Sequence, residues 1–257
     1  MAQLKAILFD VDGTLADTER DGHRVAFNRA FADAGLDWNW SVELYGELLK
    51  VTGGKERITY YVEQFNRALV RPADFAGFVA GLHAAKTRHY TEMLAAGKIP
   101  LRSGVQRLLN EARASGVRLA IATTTTPVNV TTLLRYSVAP DAESWFEVIA
   151  AGDVVPEKKP APDIYTYALE QLGVAPDECV ALEDSGNGVR SAVAANIPTL
   201  VTVSDYCQRD DFRGAALIVD QLGEPDLPFR VLAGDAGGAQ WVDLPLLRRL
   251  SAAATTC

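Results

Sequence analysis

Two aspartates two residues apart, Asp10 and Asp12 in Asp-Val-Asp-Gly-Thr, follow directly on the apolar run Ala6-Ile7-Leu8-Phe9. A continuous apolar run of this kind reads as a strand buried on both faces of a parallel sheet. Carboxylates launched two residues apart from such a strand can meet around one metal ion and one phosphate. Gly13 lets the chain turn sharply just beyond them. Acids at the C-terminal edge of a parallel sheet stand where ligands bind, which separates them from acids on a solvated loop.

Later runs bring more chemistry to the same edge. Leu119-Ala120-Ile121-Ala122 leads into Thr123, Thr124, Thr125 and Thr126, and Val180-Ala181-Leu182 leads into Glu183-Asp184-Ser185. Between them, Glu157-Lys158-Lys159-Pro160 follows another strand-like run. Four carboxylates in one small volume repel each other unless a cation neutralises them. All-oxygen donors without His or Cys select a hard ion, for which Mg²⁺ is the expected choice. A lysine and hydroxyls beside it suit the oxygens of a phosphoryl group. One carboxylate can attack phosphorus to give an acyl phosphate. Its neighbour two residues on can protonate the leaving oxygen and then deprotonate water. The set describes phosphoryl transfer.

The elements that must position these groups alternate. Strand-like runs fall at 5–10, 117–123, 147–151, 179–183, 198–203 and 216–219, with helix-like segments at 104–115, 127–136, 162–173 and 186–196. Pro162-Asp163 and Gly173 bracket one of those helices. This order predicts an α/β fold, a Rossmann-like doubly wound parallel sheet core. Residues 17–90 carry no strand-like run but do carry helical-period apolar faces, as at Trp38, Trp40, Leu44, Leu48 and Leu49, and at Ile58, Tyr61, Val62 and Phe65. We therefore expect residues 1–16 and 91–257 to form the core and 17–90 an inserted α-helical cap domain over its C-terminal edge. The small, polar tail 251–257 is expected to fray.

At 257 residues the chain can bury a sizeable core. A net charge of −8 and a pI near 5.0 disfavour nucleic acid and acidic membrane surfaces as partners. Cys179, Cys207 and Cys257 lack metal-ligand spacing, and Cys179 opens an apolar strand as a small core residue. An odd cysteine count without a framework fits a reducing cytosol. The N-terminus runs straight into the first strand without room for a signal peptide, and no apolar segment is long enough to span a bilayer. A soluble, cytoplasmic monomer is the expectation.

Asp10-x-Asp12-Gly13-Thr14, the hydroxyl of Thr123, Lys159 in Lys-Pro-Ala-Pro-Asp-Ile-Tyr, and Glu183-Asp184-Ser185 resemble, in order, the motifs of the haloacid dehalogenase superfamily. The resemblance implies that Asp10 is the nucleophile and Asp12 the general acid/base. It implies that Asp10, Asp12 through its carbonyl, and Asp184, with Glu183 nearby, hold Mg²⁺, and that Thr123 and Lys159 bind the transferring phosphoryl group. Lys158 competes on spacing alone, and the Lys-Pro-x-Pro-Asp register favours Lys159.

Within the superfamily, the cap stretches Asp17-Thr18-Glu19, His23 to Asn28, Asp37-Trp38-Asn39-Trp40, Tyr45 and Thr52-Gly53-Gly54-Lys55-Glu56-Arg57 resemble the β-phosphoglucomutase-like branch. More narrowly, they are similar to the CbbY-type xylulose-1,5-bisphosphate phosphatases, which implies removal of a misfire product that inhibits Rubisco. Gly53 and Gly54 let backbone approach a ligand while Lys55 and Arg57 supply cations, a combination suited to the non-reacting phosphate of a sugar bisphosphate. Glu19 and Tyr45 are candidates for the sugar hydroxyls, and His23, Lys86, Thr124 and Thr125 complete the substrate-binding set. One departure stands out. Arg20, Asp21 and Gly22 separate Glu19 from His23 where relatives place two residues, which counts against a family role for His23. His83 and His89 read as helix-surface residues. The segment after Thr123 lacks the Lys-Asn pair of the mutases, which favours a phosphatase over a sugar phosphomutase or a general sugar-phosphate phosphatase. A phospho-accepting receiver is about half this length without a cap, and a non-catalytic scaffold would not keep every chemical position filled.

Overall fold

A computed structural model describes residues 4–254. Seven strands form one sheet in the order β3-β2-β1-β4-β5-β6-β7. They are β1 (Ala6–Phe9), β2 (Arg118–Thr123), β3 (Phe146–Ala151), β4 (Cys179–Glu183), β5 (Thr199–Thr202), β6 (Leu217–Val219) and β7 (Val231–Gly234). All neighbours pair in parallel except β6 and β7. The expected doubly wound α/β core is therefore present, extended by one antiparallel edge strand. From β1 the chain builds outward through β2 and β3, then crosses back to β4. That reversal leaves a crevice beyond the end of β1, where ligands bind in such sheets.

Every residue of β1 and β4 is buried, because helices cover both faces. On one face β1 contributes Ile7 and Phe9 to an apolar cluster with α5 (Val105–Ala114), α6 (Pro127–Leu133) and α9 (Leu244–Ala254). On the other, Ala6 and Leu8 meet α7 (Asp163–Leu172) and α8 (Gly186–Ala194). α7 ends at Gly173 in the left-handed conformation, as its sequence predicts.

Residues after β1 form α1 (Arg24–Asp33), α2 (Val42–Leu48), α3 (Gly54–Gln64) and α4 (Phe75–Ala95) around a separate aromatic cluster that includes Phe27, Phe31, Trp38 and Trp40. α4 runs straight through residue 90, so the helical layer continues past the expected boundary. The segments entering and leaving it lie side by side. Ala16 bridges Leu101, and Arg102 N–H donates to the Leu15 carbonyl at 2.9 Å. One narrower expectation is corrected. Ser251–Ala254 complete α9 instead of fraying, since Ser251 is fully buried and its Oγ donates to the Asp177 carbonyl; residues 255–257, including Cys257, lie outside the described residues. The helix expected over 127–136 is α-helical to Leu133 and then widens into a π-turn over Leu134–Val138.

Candidate active site

Adjacent strands β2, β1 and β4 end together, so Thr123, Asp10, Glu183 and Asp184 reach one point by sheet geometry alone. Lys159 arrives from the loop between β3 and α7. Its Nζ donates to Asp10 Oδ1 at 2.7 Å and to Glu183 Oε1 at 2.6 Å. Tyr165, in the first turn of α7, donates to that same Glu183 oxygen at 2.6 Å. Lys158 turns away, towards Glu56 and Asp153. Of the two adjacent lysines, only Lys159 touches Asp10.

Burial governs the charges here. It raises Asp10 to about 7, with Lys159 opposing and Glu183 reinforcing the shift. Asp184 is raised well above the carboxylate range by burial and then by the charge of Asp10. Burial pulls Lys159 down, but the charges of Asp10 and Glu183 outweigh it and hold the ammonium form. Oxygens of Asp10, Glu183 and Asp184 lie within 4.8 Å of one another. Glu183 Oε2 is buried without a partner among the described residues. Three buried acids with a single lysine between them, two of them raised by burial, fit a divalent cation. Gly13 makes the close approach possible: its φ is +84°, and a Cβ there would stand 2.0 Å from Asp184 Oδ2.

Asp12 belongs to a second network, running into the cap. Its Oδ1 accepts from Thr18 Oγ1 at 2.5 Å and from His23 Nε2 at 2.8 Å. On the far side of the imidazole, Lys86 Nζ lies 2.7 Å from Nδ1. An ammonium there can only donate, which assigns the ring proton to Nε2. Burial works to raise Asp12, yet His23, Thr18 and Lys86 together pull it well below the carboxylate range. Lys86 itself is brought down to about 8 by burial, against the pull of Asp12 and Glu19. The spacing that counted against His23 does not keep it from the site. Glu19–His23 form a π-turn, whose wider i→i+5 ring takes up the extra residue.

Tyr45 is fully buried among Phe27, Trp40 and Tyr206. It donates to Glu19 Oε2 at 2.5 Å and accepts from Arg57 Nη1 at 2.8 Å. It lines neither cavity described below, so its geometry is that of a brace behind Glu19 and Arg57 rather than of a ligand contact. His83 also departs from expectation. It is half-buried beside Lys86, and burial followed by the charge of Lys86 brings its pKa down to about 4. His89 is half-buried and pairs with Asp33.

Two cavities meet at this junction. One of about 630 Å³ is lined by Asp10, Thr123, Lys159 and Asp184. The other, of about 290 Å³, is lined by Gly53, Gly54, Lys55, His83, Lys86 and Lys158, with Thr125. Asp12, Glu19, Arg57 and Thr124 border both. Along the seam Lys55 pairs with Asp153 at 2.7 Å, Lys158 with Glu56 at 2.9 Å, and Asn187 donates to Thr52 at 3.1 Å. Sequence reading missed Tyr165, Cys207 and Arg102. Tyr165 was within reach, since it lies just inside a helix that starts beside Lys159. Cys207, whose Sγ is 3.7 Å from Asp184 Oδ2, lies on a loop that carries no local signal.

A family model described as haloacid dehalogenase-like hydrolase matches residues 4–196. The chain belongs to the haloacid dehalogenase-like hydrolases. It is 46% identical over 245 residues to the protein CbbY, plasmid, of Cupriavidus necator, covering 95% of this chain and 96% of that one. A crystal structure of CbbY from Rhodobacter sphaeroides in complex with phosphate superposes with a TM-score of 0.79 at 47% identity, covering 85% of this chain and 95% of that one. A mutant of the same protein in complex with xylulose-1,5-bisphosphate gives a TM-score of 0.78 at 46% identity, with the same coverage. This hydrolase is a phosphatase, similar to CbbY along nearly its whole length. No helix among the described residues is long and apolar enough to cross a membrane.

Proposed function

We propose that this phosphatase removes one phosphate from a sugar bisphosphate, xylulose 1,5-bisphosphate giving xylulose 5-phosphate, through a phosphoryl-aspartate on Asp10. The observation that carries this reading is the pair of cavities joined at Asp12, Glu19, Arg57 and Thr124, one rich in acids around Lys159 and one rich in cations. A monophosphate needs only the first. Arg57 Nε is buried without a partner among the described residues, an uncommitted donor beside the second cavity. The relative whose structure holds xylulose-1,5-bisphosphate supports the choice of sugar.

Asp10, Glu183, Asp184 and the Asp12 carbonyl would hold Mg²⁺, which supplies positive charge to the phosphoryl oxygens. Lys159 and Thr123 orient the same phosphoryl group. Asp10 attacks phosphorus, and the sugar oxygen leaves with a proton from Asp12, which Thr18, His23 and Lys86 hold ionised in the free protein and which therefore takes up that proton in the substrate complex. Asp12 then takes a proton from water, whose oxygen attacks the acyl phosphate and frees inorganic phosphate and Asp10. Both hydrogen bonds that Asp12 accepts fall on Oδ1. Oδ2 is thereby left for the leaving oxygen. Gly53, Gly54, Lys55 and Arg57 take the distal phosphate, with Lys86 and Thr125 beside it. Binding there aligns the scissile phosphate at the other end. Every group needed lies in one chain, consistent with a monomer.

Arg57→Ala is the discriminating variant. It should lower kcat/KM for xylulose 1,5-bisphosphate by about 10²-fold or more. Hydrolysis of p-nitrophenyl phosphate, which has no distal phosphate, should change by less than about threefold. Equal losses on both substrates would remove the distal-phosphate role. Release of one phosphate per bisphosphate without an isomeric product would separate hydrolysis from a mutase.

Metal affinity should depend on pH with a defined sign. Asp10 titrates near 7 in the metal-free protein, so below that value a proton competes for its oxygen. Manganese binding, read by electron paramagnetic resonance without substrate, should weaken as pH falls from 8 to 5.5, by at most about tenfold for each unit below 7. Affinity that is flat across this range would reject Asp10 as a ligand.

A further inference from the structure

We propose that Arg102 is a positioning residue, holding the Asp10–Gly13 loop in register by clamping the Gly13 carbonyl to the ends of β5 and β6. The proposal rests on the reading of that loop as the catalytic one. Arg102 stands where the chain returns from the cap, and its side chain is only 9% exposed. Nη1 donates to the carbonyl of Gly13, to the Thr202 carbonyl at 2.9 Å and to Thr202 Oγ1 at 3.2 Å. Nη2 donates to the carbonyls of Val203 at 2.9 Å and Asp220 at 3.0 Å.

One guanidinium thus gathers carbonyls from the ends of three elements far apart in sequence. Its planar fork of donors suits that task, whereas a lysine offers a single nitrogen. The Gly13 peptide is the sensitive member, because it packs directly against the Asp184 carboxylate. Movement of that peptide shifts Asp12 on one side and presses on Asp184 on the other. Arg102 also ties together the two segments that join the helical layer to the core, as its N–H is bonded to the Leu15 carbonyl and its Nε faces Asp17 Oδ1 at 3.4 Å. Asp17 is 69% exposed, so that pair can open while the buried carbonyl clamp stays closed.

A groove of about 610 Å³, lined by Asp17, Arg102, Val203 and Asp220 among others, lies beside the guanidinium and gives a small cation access. The test uses full-length Arg102→Lys and Arg102→Ala with p-nitrophenyl phosphate. We expect kcat to fall about 10²-fold with KM within about threefold of wild type. Manganese affinity measured without substrate should weaken about tenfold. Ethylguanidinium should restore part of the kcat of Arg102→Ala and none of that of Lys159→Met. Should Arg102→Ala fail to fold, Arg102→Lys carries the test through kcat and manganese affinity. A folded Arg102→Lys with wild-type kcat and manganese affinity overturns the proposal, as does a folded Arg102→Ala whose kcat ethylguanidinium leaves unchanged. Asp10→Asn run alongside keeps two failures apart. If it retains turnover, the reading of the loop falls; if it is inactive while Arg102→Lys is normal, only the clamp falls.

Discussion

Asp10→Asn should release phosphate from xylulose 1,5-bisphosphate at least about 10³-fold more slowly than wild type, while melting cooperatively near the wild-type temperature. An amide matches the carboxylate in shape but is a far weaker nucleophile, and it cannot form the mixed anhydride with phosphate. The fold has little reason to suffer. The backbone of Asp10 stays pinned, its N–H donating to the Leu182 carbonyl at 3.0 Å. Lys159 keeps Glu183 at 2.6 Å, so the buried cation retains a carboxylate partner. Phosphate release by a colorimetric assay and a thermal melt on the same sample check both halves. Turnover within about tenfold of wild type would reject Asp10 as the nucleophile.

Lys159→Met should lose both turnover and stability. The methionine keeps the length of the side chain and removes the one cation among the described residues that touches both Asp10 and Glu183. Glu183 is fully buried and Asp10 is 8% exposed, so water cannot take the place of the lost charge. Removing one partner from a buried ion pair costs about 3–5 kcal/mol. The pH dependence identifies the cause. Without the ammonium, the folded state holds protons on these acids more tightly than the unfolded chain does. Stability of the variant should then fall as pH rises from 5 to 8, more steeply than for wild type. Urea melts at both values decide the matter, and a pH-independent deficit would point to lost packing instead.

Much of the sheet was legible because strands buried on both faces write themselves as continuous apolar runs. β7 escaped for the opposite reason: all four of its residues are exposed, and an antiparallel edge strand owes its place to backbone pairing with β6. α9 was missed because Leu244, Leu246, Leu247 and Leu250 face a core surface that exists only once the sheet is built. Among site residues, those at strand ends were readable, since parallel order fixes where the ends fall. Arg102 and Cys207 were not, because their partners come from distant loops that topology alone brings close. Tyr45 is offered as a ligand contact through the family resemblance, and its bonds to Glu19 and Arg57 are long-range contacts that leave no local sign in the sequence.

The widened turn at Glu19–His23 bears on how relatives should be compared. A helix that stores a spare residue as a local bulge keeps everything after it in phase, and here Ala26, Phe27, Ala30 and Phe31 of α1 still face inward. Closing that bulge by deleting one residue should restore α-helical pitch and leave the upstream and downstream faces in phase, whereas the same deletion from a regular helix would rotate them by about 100° relative to each other. Both the Glu19 contact to Tyr45 and the His23 contact to Asp12 should then survive. A relative one residue shorter here is therefore expected to show ordinary α-helical pitch over this turn, with its side chains on either side in equivalent places.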